Sequence, residues 1–204
     1  LCGGFNSNLI RRATQEIKAV KGEYELIAVG RKGCDFFRHR GLNVAKEYIG
    51  LGGNVKYSTA RDIATFVIDK YSVEEYDEVY LIYSQFVNVL VQKPVMVKIL
   101  PAEPPTEGAG AEGEKDGGKM PYIFEPSAEA VLTELLPKYI ENAIYQGLLE
   151  INAGFYSAQM TAMENATKNA SDMIDRLTLT MNRARQAQIT KEISEIVGGA
   201  AALE

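Results

Sequence analysis

The chain has 204 residues and a formal net charge of −5, with a single histidine and two cysteines. The acidic balance argues against a nucleic-acid-binding protein, because such proteins usually carry a basic surface. One histidine excludes a histidine-rich zinc site, and the sequence contains no apolar run of about 18 to 20 residues that would predict a membrane-spanning helix. The length suits one ordinary domain with an appendage, for which we expect no metal and no other cofactor.

The first hundred residues predict helices that alternate with short apolar strands. Helical patterns occupy residues 6–20 and 35–40, and a third helix, capped by Ser58 or Thr59, continues to residue 71. Strand patterns occupy residues 25–30, 43–49, 78–83 and 95–100. This alternation is typical of a parallel sheet covered by helices and predicts an α/β, Rossmann-like layered domain.

Glycines and cysteines in this region do not predict a chemical site. The pairs Gly3-Gly4 and Gly52-Gly53 match neither the dinucleotide-binding fingerprint nor the phosphate-binding P-loop, so we interpret them as turn residues. Cys2 and Cys34 lack the spacing of metal ligands, and we expect both thiols to be reduced and buried.

Residues 101–121 interrupt the alternating pattern. The segment contains four prolines, five glycines and five acidic residues. Such a composition buries too little apolar area to offset the entropy lost on ordering, which predicts a mobile, acidic surface loop. A regulatory insert is the alternative interpretation.

The last third of the chain predicts one long helix over residues 138–197. Ser127 is a candidate N-cap for the preceding residues, and Pro137 is expected to kink the region or split it into a short helix and a long one. A helix of sixty residues would be about 90 Å long, so we expect a second long helix to cover its apolar side in a coiled coil. The apolar positions recur at steps of three and four: Ile140, Ile144, Leu148, Ile151, Phe155, Ala158, Ala162, Ala166, Ala170, Met173, Leu177, Met181 and Ala184.

Both ends of the chain carry specific motifs that resemble one family, the gamma subunits of F-type ATP synthases. The opening, Leu1 to Ile10, and the helical run from Met160 to Gln186 are similar to segments of that family. The end of the chain resembles the family's C-terminal signature, whose matching positions are Ile189, Thr190, Glu192, Glu195, Gly199 and Ala200. The family's N-terminal helix and first strand, roughly eighty residues, have no counterpart in this sequence.

The resemblance implies a fold and a role. It implies an α/β globular foot domain over residues 1–126 and a helical region over residues 127–204 that ends in the long coiled-coil shaft helix. Such a subunit is the central-stalk rotor that couples ion-driven rotation of the c-ring to ATP synthesis in a head of alpha and beta subunits. The foot would contact the epsilon subunit and the c-ring at the cytoplasmic face of the bacterial plasma membrane, as a peripheral protein. This chain would neither bind a nucleotide nor catalyse a reaction.

The resemblance also assigns roles to particular residues. Arg185 and Gln186 match a pair that hydrogen-bonds a catalytic subunit, and Tyr122 and Glu125 match foot residues near the c-ring and the epsilon subunit. The alternative from another class of protein is an α/β ligand-binding or enzymatic domain with a helical dimerisation arm. Nucleotide binding by the isolated chain would discriminate between the two, because only the alternative predicts it.

Overall fold

A computed structural model describes residues 2–102 and 127–201 and confirms a mixed α/β fold with a long C-terminal helix. The elements in chain order are α1 (Phe5–Ala19), β1 (Leu26–Val29), α2 (Arg31–His39), β2 (Val44–Tyr48), α3 (Tyr57–Ser72), β3 (Val79–Phe86), β4 (Gln92–Leu100) and α4 (Ala128–Ala201). Each predicted helix and strand therefore corresponds to an observed element, with ends that differ by up to ten residues.

The chain forms two compact units, which we call the α/β unit (Cys2–Ala158) and the helical unit (Gln159–Glu204). The α/β unit contains the first seven elements together with α4 up to residue 158. The predicted division between residues 126 and 127 stays a prediction. The predicted acidic loop lies, from residue 103 onward, outside the described residues.

The strands form two separate pairs. β1 and β2 are parallel, as predicted, whereas β3 and β4 are antiparallel, so the prediction of a single parallel sheet is wrong for the second pair. A tight turn explains the difference, because the side-chain oxygen of Asn88 accepts hydrogen bonds from the backbone N–H groups of Leu90 at 2.9 Å and Val91 at 2.8 Å. This local bonding reverses the chain within a few residues and leaves no room for a crossover helix.

Three helix starts show how local chemistry sets the boundaries. Ser127 is confirmed as the residue that caps α4, because its hydroxyl oxygen accepts the N–H of Ala130 at 3.2 Å. Helix α3 begins at Tyr57 after Lys56, so the prediction that Ser58 or Thr59 caps it is wrong. Helix α2 begins at Arg31, four residues earlier than predicted, since Gly30 adopts a φ of +99° that lets the chain enter the helix directly from β1.

Helix α4 continues through Pro137, so the prediction that this residue splits the region into two helices is wrong, whereas the predicted kink stays a prediction. Proline removes one backbone donor from the helical ladder. Beyond it, Ile140, Ile144 and Leu148 are almost fully buried, and each such burial stabilises the fold by about 1.5–3 kcal/mol. Packing of the following turns thus offsets the local cost of the proline.

The main core lies between α3, β4 and the first part of α4. Ala60 and Ala64 of α3 have no exposed surface, and these small side chains let the larger ones of α4 approach closely. The buried members of this cluster are Ala60, Ile63, Ala64, Val67, Ile99, Leu100, Ile140, Ile144 and Leu148. The expectation that a second long helix covers the whole apolar side of α4 is therefore wrong for residues 140–148, which the α/β unit covers itself.

Candidate interaction surface on the long helix

The part of α4 in the helical unit exposes almost every side chain. Between residues 163 and 199, Asn182 is half-buried and every other residue is exposed. The large apolar side chains in this range are between 47% and 72% exposed: Met163, Met173, Ile174, Leu177, Leu179, Met181, Ile189, Ile193, Ile196 and Val197. Monomeric proteins rarely leave such extended apolar surface in water, so this arrangement indicates a surface for partner proteins.

We call the set Met173, Leu177 and Met181 the exposed stripe. These residues follow one another at intervals of four along α4, and each is about 60% exposed. In the α/β unit, by contrast, Ile140, Ile144 and Leu148 of the same helix are buried. The apolar residues of α4 are thus covered within the α/β unit and exposed in the helical unit.

Arg185 and Gln186 are both exposed on α4. Among the residues that the structure describes, neither side chain forms a hydrogen bond or an ion pair. Successive helical residues differ by about 100° in direction, so the two side chains lie on different sides of the helix. A guanidinium group carries five donors in a fixed plane, and an amide both donates and accepts, so the pair is suited to carbonyl and carboxylate groups of a neighbouring protein.

The positions that match the C-terminal signature are also on α4. Ile189, Thr190, Glu192, Glu195 and Gly199 are exposed, and Ala200 is within the helix. Two of these acids pair along the helix: Gln188 donates a hydrogen bond to Glu192 at 2.7 Å, and Lys191 lies 3.7 Å from Glu195. Such exposed pairs stabilise a helix by only about 0.2–0.5 kcal/mol each, which leaves the side chains available to a partner.

Tyr122 and Glu125, the residues predicted to contact the c-ring and the epsilon subunit, lie outside the described residues. Their assignment stays a prediction. The structure therefore brings together the predicted head-contacting residues and the C-terminal signature on one helix.

The described residues do not assemble a cluster of metal ligands. Residues 2–102 and 127–201 contain no cluster of three histidine, cysteine, aspartate or glutamate side chains that could hold a metal ion. A shallow open depression of about 230 Å³ lies between the β3–β4 pair and α4, lined by apolar, tyrosine and amide side chains. Burial and the nearby Glu150 carboxylate raise the pKa of Tyr83 in its wall, so this phenol is not a base near neutral pH.

The structure also reveals contacts that the sequence did not predict. Polar side chains of α4 bond to the rest of the α/β unit, among them Glu141 to the hydroxyl of Tyr57 at 2.7 Å and Asn152 to the carbonyl of Gly53 at 3.1 Å. An isolated acid on a helix is usually solvated, so the sequence alone offered no signal for these partners. No helix in the described part of the chain is long and apolar enough to cross a membrane.

Comparison with known proteins gives a family and close relatives. The family model described as ATP synthase matches residues 1–203. The chain is 74% identical over 204 residues to the ATP synthase gamma chain of Pelotomaculum thermopropionicum, covering all of this chain and 70% of that one. It is 56% identical to the ATP synthase gamma chain of Desulforamulus reducens, with the same coverage.

Solved structures share the fold. A mitochondrial ATP synthase structure of Euglena gracilis, comprising OSCP, F1 and the c-ring, has a chain that matches 99% of this one with a TM-score of 0.66 at 18% identity; the match covers 68% of that chain. The central stalk and c-ring structure from Tetrahymena thermophila mitochondrial ATP synthase matches 81% of this chain and 70% of its own, with a TM-score of 0.61 at 24% identity. At these identities the similarity supports the fold.

Proposed function

The chain belongs to the ATP synthase gamma chain family, and from this premise we propose that its helical unit is the part of the rotor shaft that alpha and beta head subunits surround. Gamma chains are the central-stalk rotor subunits of ATP synthase; they are not themselves catalytic, and the complex makes ATP. The observation that carries the proposal is the exposed stripe of α4, which lies on a helix without a covering partner among the described residues.

The surface of the helical unit fits such an environment. A shaft that turns inside a head meets different neighbours in succession, so it needs contacts distributed around its circumference. The exposed side chains of α4 from residue 163 to residue 199 point in all directions, and apolar, basic and amide groups are mixed along them. The exposed stripe is suited to a second helix in a coiled coil, and the remaining sides are suited to the head.

Specific contacts extend this proposal. Arg185 and Gln186 would hydrogen-bond a catalytic subunit, because both are exposed and have donors that no other described residue uses. Ile189, Thr190, Glu192, Glu195, Gly199 and Ala200 would form the end of the shaft in the head. Tyr122 and Glu125 would contact the epsilon subunit and the c-ring.

The location follows from the same family. ATP synthase is a membrane-associated complex, and the association of its gamma chain with the membrane is indirect. We propose that this chain lies at the cytoplasmic face of a bacterial plasma membrane, since the most similar relatives described above are bacterial. It would be held there by the c-ring and the epsilon subunit.

Single-molecule rotation tests the proposal. A gamma chain that contains this sequence is assembled with matching alpha and beta subunits, the head is fixed to a surface, and a bead is attached to the α/β unit. ATP should drive rotation of the bead in one direction. Complexes that hydrolyse ATP while the bead stays still would contradict the proposal, as would failure of the chain to assemble with the head. Specific ATP binding by the isolated chain would favour the enzymatic alternative.

A further inference from the structure

Two glutamates of α4 bind the rest of the α/β unit from opposite sides of the helix. The carboxylate of Glu141 accepts a hydrogen bond from the hydroxyl of Tyr57, in the first turn of α3, at 2.7 Å. The carboxylate of Glu150 accepts a hydrogen bond from the backbone N–H of Phe86, at the end of β3, at 3.1 Å. We call these two bonds the two-sided clamp.

The spacing of the two glutamates determines their geometry. They are nine residues apart, which is about 2.5 helical turns, so their side chains leave the helix in directions that differ by about 180°. A rotation of α4 about its own axis, in either sense, moves both carboxylates away from their partners. A single bond would let the helix pivot about that one contact, whereas two bonds on opposite sides oppose rotation about the helix axis.

Other side chains support each half of the clamp. Arg61 lies 3.7 Å from the Glu141 carboxylate, and the rings of Tyr57 and Tyr145 are in edge-to-face contact with centroids 5.3 Å apart. On the other side, the amide of Gln146 donates to Glu150 at 2.9 Å. Asn152, which follows Glu141 by eleven residues and so lies on nearly the same side, donates to the carbonyl of Gly53 at 3.1 Å.

Apolar packing alone holds the helix less firmly against rotation. The burial of Ile140, Ile144 and Leu148 is non-directional and occurs on one side of α4. On the side that carries Glu150, the neighbouring positions are Gly147 and Gly154, and the side chains of Leu81 and Phe5 pack closely against them. The hydrogen bond of Glu150 adds a directional contact to this apolar packing.

We propose that Glu141 and Glu150 fix the rotational position of α4 in the α/β unit, so that torque passes between the unit and the helix without slip. The inference rests on the proposed rotor function, because a protein that transmits no torque has no need of such a clamp. The two glutamates are positioning residues and touch no reacting group.

The test compares two pairs of substitutions on the same helix. Glu141→Ala with Glu150→Ala removes both halves of the clamp, and the control, Glu134→Ala with Glu164→Ala, removes two exposed glutamates of the same helix, of which Glu134 accepts a hydrogen bond from Lys138. Hydrogen exchange in the assembled enzyme should show the Phe86 amide exchanging about tenfold faster in the first pair, since it loses a charged acceptor. Unchanged exchange would contradict the bond itself.

Torsional stiffness tests the mechanical role. With the head fixed and the enzyme paused, the rotational fluctuations of a bead on the α/β unit should widen in Glu141→Ala with Glu150→Ala and stay at the wild-type value in the control pair. Glu141→Gln with Glu150→Gln should restore much of the stiffness, because the amide oxygen still accepts both bonds. If the alanine pair does not assemble, Tyr57→Phe replaces it, since that change removes one hydroxyl and should still widen the fluctuations.

The outcomes separate the two proposals. Wild-type complexes that rotate, together with alanine variants that fluctuate as narrowly as the control, would overturn the clamp and leave the rotor function intact. Wild-type complexes that hydrolyse ATP without rotating would overturn the rotor function.

Discussion

At the residue scale, Arg185 and Gln186 lead to a direct prediction. Replacing both with alanine in the assembled enzyme should lower the rate of ATP turnover, because the variant loses hydrogen bonds to a catalytic subunit. Bonds that involve a charged group contribute about 1.5–3 kcal/mol each where they are desolvated. Steady-state ATP hydrolysis and synthesis by purified complexes measure the effect.

A matched pair of residues supplies the control. Arg11 and Gln15 have the same side-chain types and are exposed on α1, within the α/β unit. Their replacement by alanine should leave turnover unchanged. Equal turnover in the Arg185→Ala and Gln186→Ala double variant and in this control, at equal assembly, would rule out a functional contact.

Cys34 leads to a second prediction at this scale. Its side chain is fully buried, its sulfur lies 3.4 Å from the Ala28 carbonyl oxygen, and burial together with the Glu47 carboxylate raises the pKa of the thiol. In a Cys2→Ser background, iodoacetamide should therefore label Cys34 only when the chain unfolds, because the reactive thiolate is both disfavoured and inaccessible. Mass spectrometry of labelling in native buffer and in urea measures this, and labelling at the rate of an unfolded peptide in native buffer would contradict it.

The direction of the pKa shift also fixes a pH dependence. The folded state binds the thiol proton more tightly than the unfolded chain does. The resulting contribution to stability is fully present below the ordinary pKa of 9.0 and is lost as the pH rises through the raised value. Cys34→Ala should remove this part of the alkaline loss of stability, which urea titrations between neutral and alkaline pH can measure.

At the scale of elements, the hairpin of β3 and β4 shows why topology was harder to predict than the elements themselves. The strands were recognisable from their apolar residues. The connection Val87–Val91 contains no glycine or proline, and its one turn-forming residue is Asn88, whose side-chain oxygen accepts two backbone N–H groups. An apolar loop closed by a single asparagine resembles a continued strand. The sequence therefore contained little indication that β3 and β4 pair in an antiparallel hairpin.

Helix α4 shows what periodicity could and could not predict. The spacing of its apolar residues predicted one helix and the direction of its apolar side, both of which the structure confirms for Ile140, Ile144 and Leu148. It did not predict that α3 covers those turns, because steps of three and four look the same whether the covering element is a neighbouring helix or a distant one. The hydrogen-bond partners of Glu141 and Glu150 could not be predicted either, because the spacing of residues along a helix does not identify the elements that pack against it.

Gly154 of α4 leads to a prediction about packing between elements. A β-carbon at this position would lie 2.8 Å from Cε2 of Phe5 and 3.3 Å from Cγ of Gln92, so the Phe5 ring would have to move and the Gln92 side chain would have to adjust slightly. Alanine gains about 1 kcal/mol in helix propensity, but overpacking costs about 1–3 kcal/mol. We expect Gly154→Ala to destabilise the α/β unit by about 1 kcal/mol, as measured by urea unfolding.

Gly198 is the matched control for that substitution. It is also within α4, but apart from its chain neighbours and the adjacent backbone of the helix, no described atom lies within 4 Å of the position that its β-carbon would occupy. Gly198→Ala should therefore leave the stability of the α/β unit unchanged and slightly raise helical content. A Gly154→Ala variant as stable as Gly198→Ala would contradict this prediction, because it would show that the side chains of Phe5 and Gln92 move aside without a loss of folding free energy.

At the scale of the whole molecule, one helix participates in two units with opposite surroundings. Within the α/β unit its apolar residues Ile140, Ile144 and Leu148 are in a core, whereas in the helical unit its apolar residues include the exposed stripe. Isolated helices draw most of their stability from packing, so the two parts of α4 should differ in stability when partner proteins are absent. The whole-chain resemblance predicted the role of the molecule, whereas the physical contrast within α4 became visible only in the structure.

Hydrogen exchange of the isolated chain tests this contrast. Amides between residues 140 and 156 should be protected, because Ile140, Ile144 and Leu148 anchor those turns. Amides between residues 163 and 199 should exchange rapidly in the monomer and become protected on self-association or on assembly with head subunits. Sedimentation at each concentration identifies the oligomeric state, and a monomer with uniform protection along α4 would contradict the prediction.

Substitution of the exposed stripe extends the same test. Leu177→Asp with Met181→Asp introduces charge where a partner should bury apolar side chains, so protection of residues 163–199 on assembly should be lost. The control, Ser171→Asp with Thr178→Asp, adds the same charge to exposed polar positions of the same helix. Because all four residues are exposed in the helical unit, exchange between residues 140 and 156 should be the same in both variants and in the wild type. Loss of assembly in the Leu177 and Met181 variant alone would then identify the exposed stripe as the surface that a partner covers.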